Sequence, residues 1–389
     1  MATNTTVRQV TTPAGDPAWL VTGYDQVKAL LADPRLGRLH PAPERAARYS
    51  QAAIFGGPMG GSPASEGRDH AQMRRLLTPA FSARRMASLR RRVQELENGL
   101  LDDLGRQTPP ADFHAALSFP LPALVICELL GVPYEDREAF RHWSDDAADM
   151  TDGARSRAGL AQLHGYMREL LARKRQQPAE DVLSDLVAAQ AQAPQAFTDD
   201  GVVTLAAGLL FAGHETTVAA IDTGVVLLLT NPAQREALQR DPTLVPRVVE
   251  EILRLPTPVP DPVPDPVPTP PTASASGLPR YAHAEMDIDG VTIRAGDLVL
   301  LGLQAANLDE RVFPLPAAFD MTREANPHLT FGHGPHYCIG APLARIELQA
   351  VFGTLFQRFP TLRLAVPVEE LRPRSHLLTG GLTTLPVTW

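Results

Sequence analysis

Cysteine is almost missing from this chain: its 389 residues hold two, Cys127 and Cys338. Two thiols build neither a disulfide scaffold nor a multi-cysteine zinc site, and their scarcity fits a reducing compartment. Lysine is as rare. Lys28 and Lys174 are the only two, so nearly every cation is arginine, and with abundant alanine and proline this points to a GC-rich coding sequence. Positive charge is in deficit overall: a formal net charge of -8 and a pI near 5.8 disfavour a general affinity for nucleic acid. Residues Met1 to Pro13 lack the apolar stretch of a signal peptide or membrane anchor, so no anchor and a cytoplasmic location are expected. What the chain has in quantity is apolar matter, 44% hydrophobic against 21% charged residues, ample for a large core. Its length allows two or three domains, yet large single domains also occur at this size.

Apolar spacings of three and four predict helices over Ala83 to Leu104, Leu121 to Leu130, Glu135 to Ala148 and Arg155 to Arg175. Strands are expected to be few: Ala18 to Thr22, Glu285 to Ile293 with a turn at Asp289-Gly290, Leu298 to Leu303, and Leu385 to Thr388. The class is therefore mainly α with a small β portion (α+β). The longest helical pattern, Asp200 to Thr230, would reach roughly 45 Å. His214, Glu215 and Asp222 lie inside it, and charged groups are costly in hydrocarbon, so it reads as a buried central helix. Residues 256–271 differ from everything else: nine of the sixteen are proline, in a four-residue repeat of the Asp-Pro-Val-Pro kind. Such a segment excludes helix and interior strand and should be stiff and polyproline-like, either a tolerated surface spacer or an arm that binds a partner or lines a pocket.

Near the C-terminus stands Phe331-Gly332-His333-Gly334-Pro335-His336-Tyr337-Cys338-Ile339-Gly340-Ala341-Pro342-Leu343-Ala344-Arg345. A glycine-rich turn here presents one cysteine at the mouth of a helix. A cysteine that binds iron must stay deprotonated, which takes positive potential, N–H groups aimed at sulfur and a dry pocket. Gly332, Gly334 and Gly340 would permit backbone geometry and close approach that a Cβ blocks, and Pro342 suits the first helical turn. The segment resembles the cysteine-ligand loop of the cytochrome P450 superfamily in its soluble bacterial form, matching Phe-Gly-x-Gly-x-x-x-Cys-x-Gly throughout.

Other residues join this resemblance in order. In Ala212-Gly213-His214-Glu215-Thr216-Thr217, a hydroxyl beside a carboxylate in an apolar helix can relay protons; the same pair could merely cap or kink the helix. Gly213 would let the helix widen. Glu251 and Arg254, three apart on one helix face, can form a bidentate pair. His70 and Arg74 share a helix face, though each alone is more often a surface charge or a satisfied core histidine. Arg84, Arg85, Arg90, Arg91 and Arg92 form either a docking patch or a solvated face.

The resemblance implies one P450 domain over 1–389 and haem b ligated through iron by Cys338, with Ala212, Phe331, Gly332 and Gly340 at the cofactor. It makes Thr216 the oxygen-side hydroxyl and Glu215 the proton-relay acid, with His214 turned away. His70, Arg74, Arg280 and His336 would clamp the haem carboxylates, and Glu251 and Arg254 would be a structural pair. A third arginine usually joins that pair; Ala318 stands where many relatives place it, and Arg323 is the substitute. The proline repeat looks like an insertion, and the chain starts short of the relatives' leading helix. The implied activity is a haem-thiolate monooxygenase that hydroxylates or epoxidises a lipophilic natural product, a macrolide, other polyketide or modified peptide. Electrons would come from NAD(P)H through a ferredoxin reductase and an iron–sulfur ferredoxin, docking near the arginines. Ile54, Phe55, Met59, Leu209, Val259 and Leu382 would face substrate. The alternatives are a same-fold oxidase for ring closure or coupling, and a non-catalytic haem-fold protein that recruits or senses.

Overall fold

The computed structural model describes residues 6–55, 62–193, 197–260 and 276–389. Its helices are α1 (Tyr24–Leu31), α2 (Pro63–Leu77), α3 (Ala83–Gly105), α4 (Pro120–Leu130), α5 (Arg137–Ala148), α6 (Gly153–Gln176), α7 (Val182–Gln192), α8 (Asp199–Thr230), α9 (Pro232–Arg240), α10 (Val245–Arg254), the short α11 (Leu303–Ala306) and α12 (Ala341–Arg358). Several begin where the sequence supplies a cap. Ser62, Asp152, Asp181 and Thr198 each accept a backbone N–H from the first turn of α2, α6, α7 and α8, satisfying donors with no intrahelical partner.

The strands are β1 (Val7–Thr11), β2 (Pro17–Val21), β3 (Leu36–Gly37), β4 (Ala111–Asp112), β5 (Leu278–Ala282), β6 (Met286–Ile288), β7 (Val291–Ile293), β8 (Leu298–Leu301), β9 (Arg363–Leu364) and β10 (Pro386–Thr388). The larger sheet runs β1-β2-β8-β5-β3, with β2 parallel to β8 and Trp19 opposite Val299; its other pairings are antiparallel. Asp289 and Gly290, both at positive φ, turn the β6–β7 hairpin as the Asp-Gly dipeptide predicts. One expected strand is shorter than its sequence suggested. β8 stops at Leu301 because Gly302 bends the chain into α11.

α8 is the spine. It packs on α4, α6, α7, α10 and α12 and is the one helix among the described residues apolar and long enough to span a bilayer, yet here it crosses the protein's own core. Val202, Ala206, Leu210, Val218, Ile221, Val225 and Leu228 are all buried along it. Phe140 packs on His214 and Phe352 on Gly224 of this helix, and with Phe113 and Phe356 they are fully buried, each stabilising the fold by roughly 1.5–3 kcal/mol. α8 remains a continuous α-helix through Gly213, so the expected local widening does not occur. Glycine is required there for another reason. A Cβ at 213 would lie 2.5 Å from Cδ1 of Ile126, and only a hydrogen lets α4 approach so closely. The repeat from Asp261 to Pro268 lies outside the described residues.

Candidate active site

A helix in the middle of a core should be covered all round, but α8 is not. Gly208, Ala212 and Thr216 are exposed, and Leu209, Gly213, Ala219 and Ala220 are half-buried, while the residues between them are buried. At spacings of three and four these, apart from Gly213 at the edge against Ile126, form one bare stripe facing open space. The Thr216 hydroxyl donates to the Ala212 carbonyl at 3.1 Å, which fixes its rotamer.

The cysteine loop supplies a second bare element. Gly332 and Gly334 take positive φ (74° and 71°), which folds the turn back so that Cys338 N–H donates to the Phe331 carbonyl at 2.8 Å. Gly340 departs from expectation: its φ is -80°, and a Cβ there would touch only Cys338 Sγ at 3.9 Å, so the protein alone does not require a glycine. Cys338 is exposed at the N-terminus of α12, whereas Cys127 is buried and its thiol is pushed up to about 12 by desolvation. Although the residue is exposed, the protein packed around it desolvates the Cys338 thiol and pushes it up, opposed by the Gly340 and Ala341 N–H groups and the charges of Arg74 and Arg345. Arg74 anchors the loop directly, donating to the Tyr337 carbonyl at 2.8 Å.

Beside the loop, cations gather beyond what the carboxylates nearby can balance. Arg280 is buried, its guanidinium pushed down to about 10 by desolvation and by Arg38, and it donates to the Pro279 carbonyl at 2.8 Å. The His70 and His336 rings stack 3.9 Å apart. Desolvation, His70 and Arg280 push His336 down to about 4; desolvation, Arg74 and Arg38 lower His70. The Glu66 carboxylate counters these effects at Arg280, His70 and His336. A cluster of this kind is built for an incoming polyanion. Arg38 belongs to it, and only the fold brings Arg38 there, since it follows β3 far from α2 in sequence.

These observations fit a haem: a lone thiol framed by N–H donors, a bare apolar stripe and a buried cationic cluster for carboxylates. His70, Arg74, Arg280 and His336 are brought together around that cluster, with Phe331 and Gly332 in the loop and Ala212 on the stripe.

Beneath the loop, Glu251 and Arg254 form a fully buried bidentate pair at 2.8 and 2.7 Å. Arg254 also donates to the carbonyls of Asn307, Pro316 and Ala318. Arg323 reaches Glu251 at 3.1 Å and the carbonyls of Pro314 and Leu315, so it makes the third-arginine contact. Arg345 of α12 binds Glu250 through both its Nε and NH2 groups, and desolvation is overridden there so that Glu250 falls to about 2.

Glu215 does not turn into the stripe with Thr216, and no hydrogen bond joins the two. It is buried, 3.1 Å from His214 Nε2 and 3.5 Å from Arg374, which also pairs with Asp145 of α5. Burial raises the Glu215 pKa, but His214, Arg374 and Arg141 outweigh it and hold the carboxyl below its usual range. His214 packs edge-on against Phe119 and Phe140. Arg374 carries no sequence signal; it is 159 positions from Glu215.

The sequence profile described as Cytochrome P450 matches residues 151–264 and 269–382. The chain belongs to the cytochrome P450 family. The interruption at 265–268 falls inside the proline repeat. This P450 is 44% identical to pentalenolactone synthase of Streptomyces exfoliatus, over 97% of this chain and 91% of that protein. It is 39% identical to the mycinamicin IV hydroxylase/epoxidase of Micromonospora griseorubida, over 98% and 92%. The crystal structure of the P450 PimD, a polyene macrolide antibiotic pimaricin epoxidase, superposes with a TM-score of 0.81 at 41% identity, covering 99% of this chain and 93% of that one. The protein is thus a bacterial P450 monooxygenase carrying haem, with relatives in antibiotic biosynthesis.

Two expectations need correction. Val259 and Leu382 sit in the core at 5% and 2% exposure, so they offer substrate little surface; Ile54 and Leu209 are half-buried. The side chain of Phe55, and Met59 altogether, lie outside the described residues. The five arginines of α3 are not a uniform patch either. Arg85 pairs with Asp185 of α7, Arg92 with Glu128 of α4, which packs on α3, and Arg90 binds Gln349. Arg91, with its side chain 89% exposed and only a 3.7 Å contact to Glu95, remains outward.

Proposed function

We propose that this P450 hydroxylates or epoxidises a lipophilic natural product of polyketide, macrolide or modified-peptide type. Electrons then come from NAD(P)H through a ferredoxin reductase and an iron–sulfur ferredoxin in a cytoplasmic setting. The observation that carries the reading is the α8 stripe of Leu209, Ala212, Thr216 and Ala219, apolar and mostly small except for one hydroxyl. Such a wall excludes water and takes its selectivity from shape. Relatives named for macrolide hydroxylation and epoxidation support the substrate class.

Bound haem, held by Cys338, supplies the reductive activation of dioxygen. The chain's own residues do the rest. Arg280, His70, His336 and Arg74 hold the carboxylate edge; Thr216 presents a hydroxyl to the stripe; Glu215, ionised and clamped by Arg374, receives and passes protons beside it. Arg91 and its exposed neighbour Arg84 offer the acidic ferredoxin a contact on α3.

A second reading, oxidative ring closure or coupling, is favoured by a relative named as a synthase of pentalenolactone. The test is a Soret titration of the ferric protein with macrolides, aromatic polyketides, terpenes and cyclic peptides, then turnover of whichever class shifts the spin state. Product heavier by one oxygen supports the proposal; product lighter by two hydrogens supports ring closure. No shift with any class refutes the assigned substrate chemistry.

A further inference from the structure

The loop that carries Cys338 closes on itself where the Cys338 N–H meets the Phe331 carbonyl at 2.8 Å, which brings residue 331 beside residues 337 and 338. Arg345, in the first turns of α12, touches both sides of this neck. Its guanidinium stands 4.6 Å over the Phe331 ring, and its NH1 group donates to the Tyr337 hydroxyl at 3.2 Å. Arg74 grips the other end of Tyr337 through the carbonyl. Glu250 of α10 takes the Nε and NH2 groups of Arg345 at 2.7 and 2.8 Å, a two-point hold that fixes the plane of the guanidinium as well as its place. Glu250 also accepts from His328 Nε2 at 3.1 Å, while His328 Nδ1 takes the Thr330 N–H at 3.3 Å and the imidazole packs on Phe331. A charge is thus held in a fixed position at the neck of the loop.

We propose that Arg345, clamped by Glu250, raises the reduction potential of the haem iron through Cys338, and that Glu250 sets how much of the Arg345 charge the loop feels. This rests on Cys338 as the haem ligand. The step affected is the arrival of one electron from the reduced ferredoxin at the ferric site; no bond is made or broken and no proton moves. That electron leaves the iron–thiolate unit more negative by one charge, so a cation beside the loop favours the reduced form and draws electron density from the sulfur. The ion pair does not cancel itself at the loop, because it is oriented. Its carboxylate lies against the Nε and NH2 edge of Arg345, whereas the NH1 edge meets Tyr337 and the face meets Phe331. The Arg345 charge accordingly opposes the rise of the Cys338 thiol. Arg345 acts through Cys338, which makes it a positioning residue.

The test is the midpoint potential of the haem-loaded protein, measured by spectroelectrochemistry without substrate, reductase or turnover. Arg345→Gln should shift it downward, disfavouring the reduced form by roughly 3–30-fold, the range of Coulomb energies for a partly exposed unit charge beyond direct contact. Glu250→Gln leaves the guanidinium on Phe331 and Tyr337 with its charge unopposed and should shift the potential upward. Arg345→Lys, which keeps the charge and loses the two-point hold, should fall between native and Arg345→Gln. A pair that only braces the scaffold predicts otherwise, since breaking it from either side loosens the same loop. Shifts of one sign in Arg345→Gln and Glu250→Gln, or a native potential in Arg345→Gln, therefore overturn the proposal. The double variant, with glutamine at both positions, removes both charges while leaving amides that can pair, and its potential should return towards native; a value no nearer native than that of either parent also overturns it. The ligand reading is checked apart from this by the ferrous carbon monoxide spectrum. Cys338→Ser should lose the thiolate band that the Arg345 and Glu250 variants keep. A thiolate band surviving in Cys338→Ser refutes the ligand, and the proposal falls with it.

Discussion

Glu97 of α3 is fully buried, and one of its carboxyl oxygens has no hydrogen-bond partner; the other accepts from Gln94, which also donates to Thr354 of α12. Desolvation, only partly countered by Arg358, pushes it from an ordinary 4.5 to about 8. The folded protein thus holds a proton there that the unfolded chain releases. The stabilisation is complete below pH 4.5, declines as pH rises, and is gone once pH passes about 8. The slope for one proton is roughly 1.4 kcal/mol per pH unit. Between pH 5.5 and 7.5 the native protein should lose up to roughly 3 kcal/mol relative to Glu97→Gln, which keeps the shape and has no proton to lose. For a chain of this length that is a shift of roughly 3–4 °C in Tm. Thermal unfolding of both holoproteins across that range, read as the difference between them, cancels every other titrating group. Parallel curves would refute the assigned protonation of Glu97.

Arg254→Ala leaves Glu251 buried with Arg323, Asn326 and the Asp320 N–H as its remaining partners and takes a donor from three backbone carbonyls; it should cost about 3–5 kcal/mol and sharply lower the haem-loaded yield, seen in denaturant unfolding and absorbance. Gly213→Ala pushes a methyl into Ile126 and should destabilise by about 1–3 kcal/mol, part of which Ile126→Ala restores in a double-mutant cycle; additive costs would disprove the contact. Arg280→Ala removes a buried donor for a haem carboxylate, so haem should pass to an acceptor protein roughly 10–100-fold faster, and an unchanged transfer rate would take Arg280 out of the clamp.

What could be read in the sequence was what is local in it. Cys338 and its glycines, the Glu251–Arg254 pair and the His70–Arg74 spacing each fit within a turn or two of chain, so spacing alone exposes them. α8 was legible because its apolar run is long and capped by Thr198. β1 was not: three of the five residues from Val7 to Thr11 are exposed, and only pairing with β2 makes a strand of them. Arg374 reaches Glu215 from the far end of the chain, and Arg85 and Arg92 find Asp185 and Glu128 on other helices. Such meetings are products of packing and leave no periodic trace. Gly213 was noticed for a helix that would widen, whereas its neighbour on α4 explains it.

The segment from Pro314 to Ala318 is gripped almost wholly by its carbonyl oxygens, which accept from Arg254 and Arg323. Side chains there contribute little: Leu315 stands 79% exposed at a φ of 49°. The grip is indifferent to which amino acid supplies the carbonyl, so descendants of this gene can drift at these positions without loosening the scaffold beneath the cysteine loop. A saturation library across 314–318 should therefore tolerate polar, charged and small residues alike, with Gly and Asn enriched at 315 where the backbone turns left-handed. Inheritance here constrains the path of the chain and leaves its lettering free.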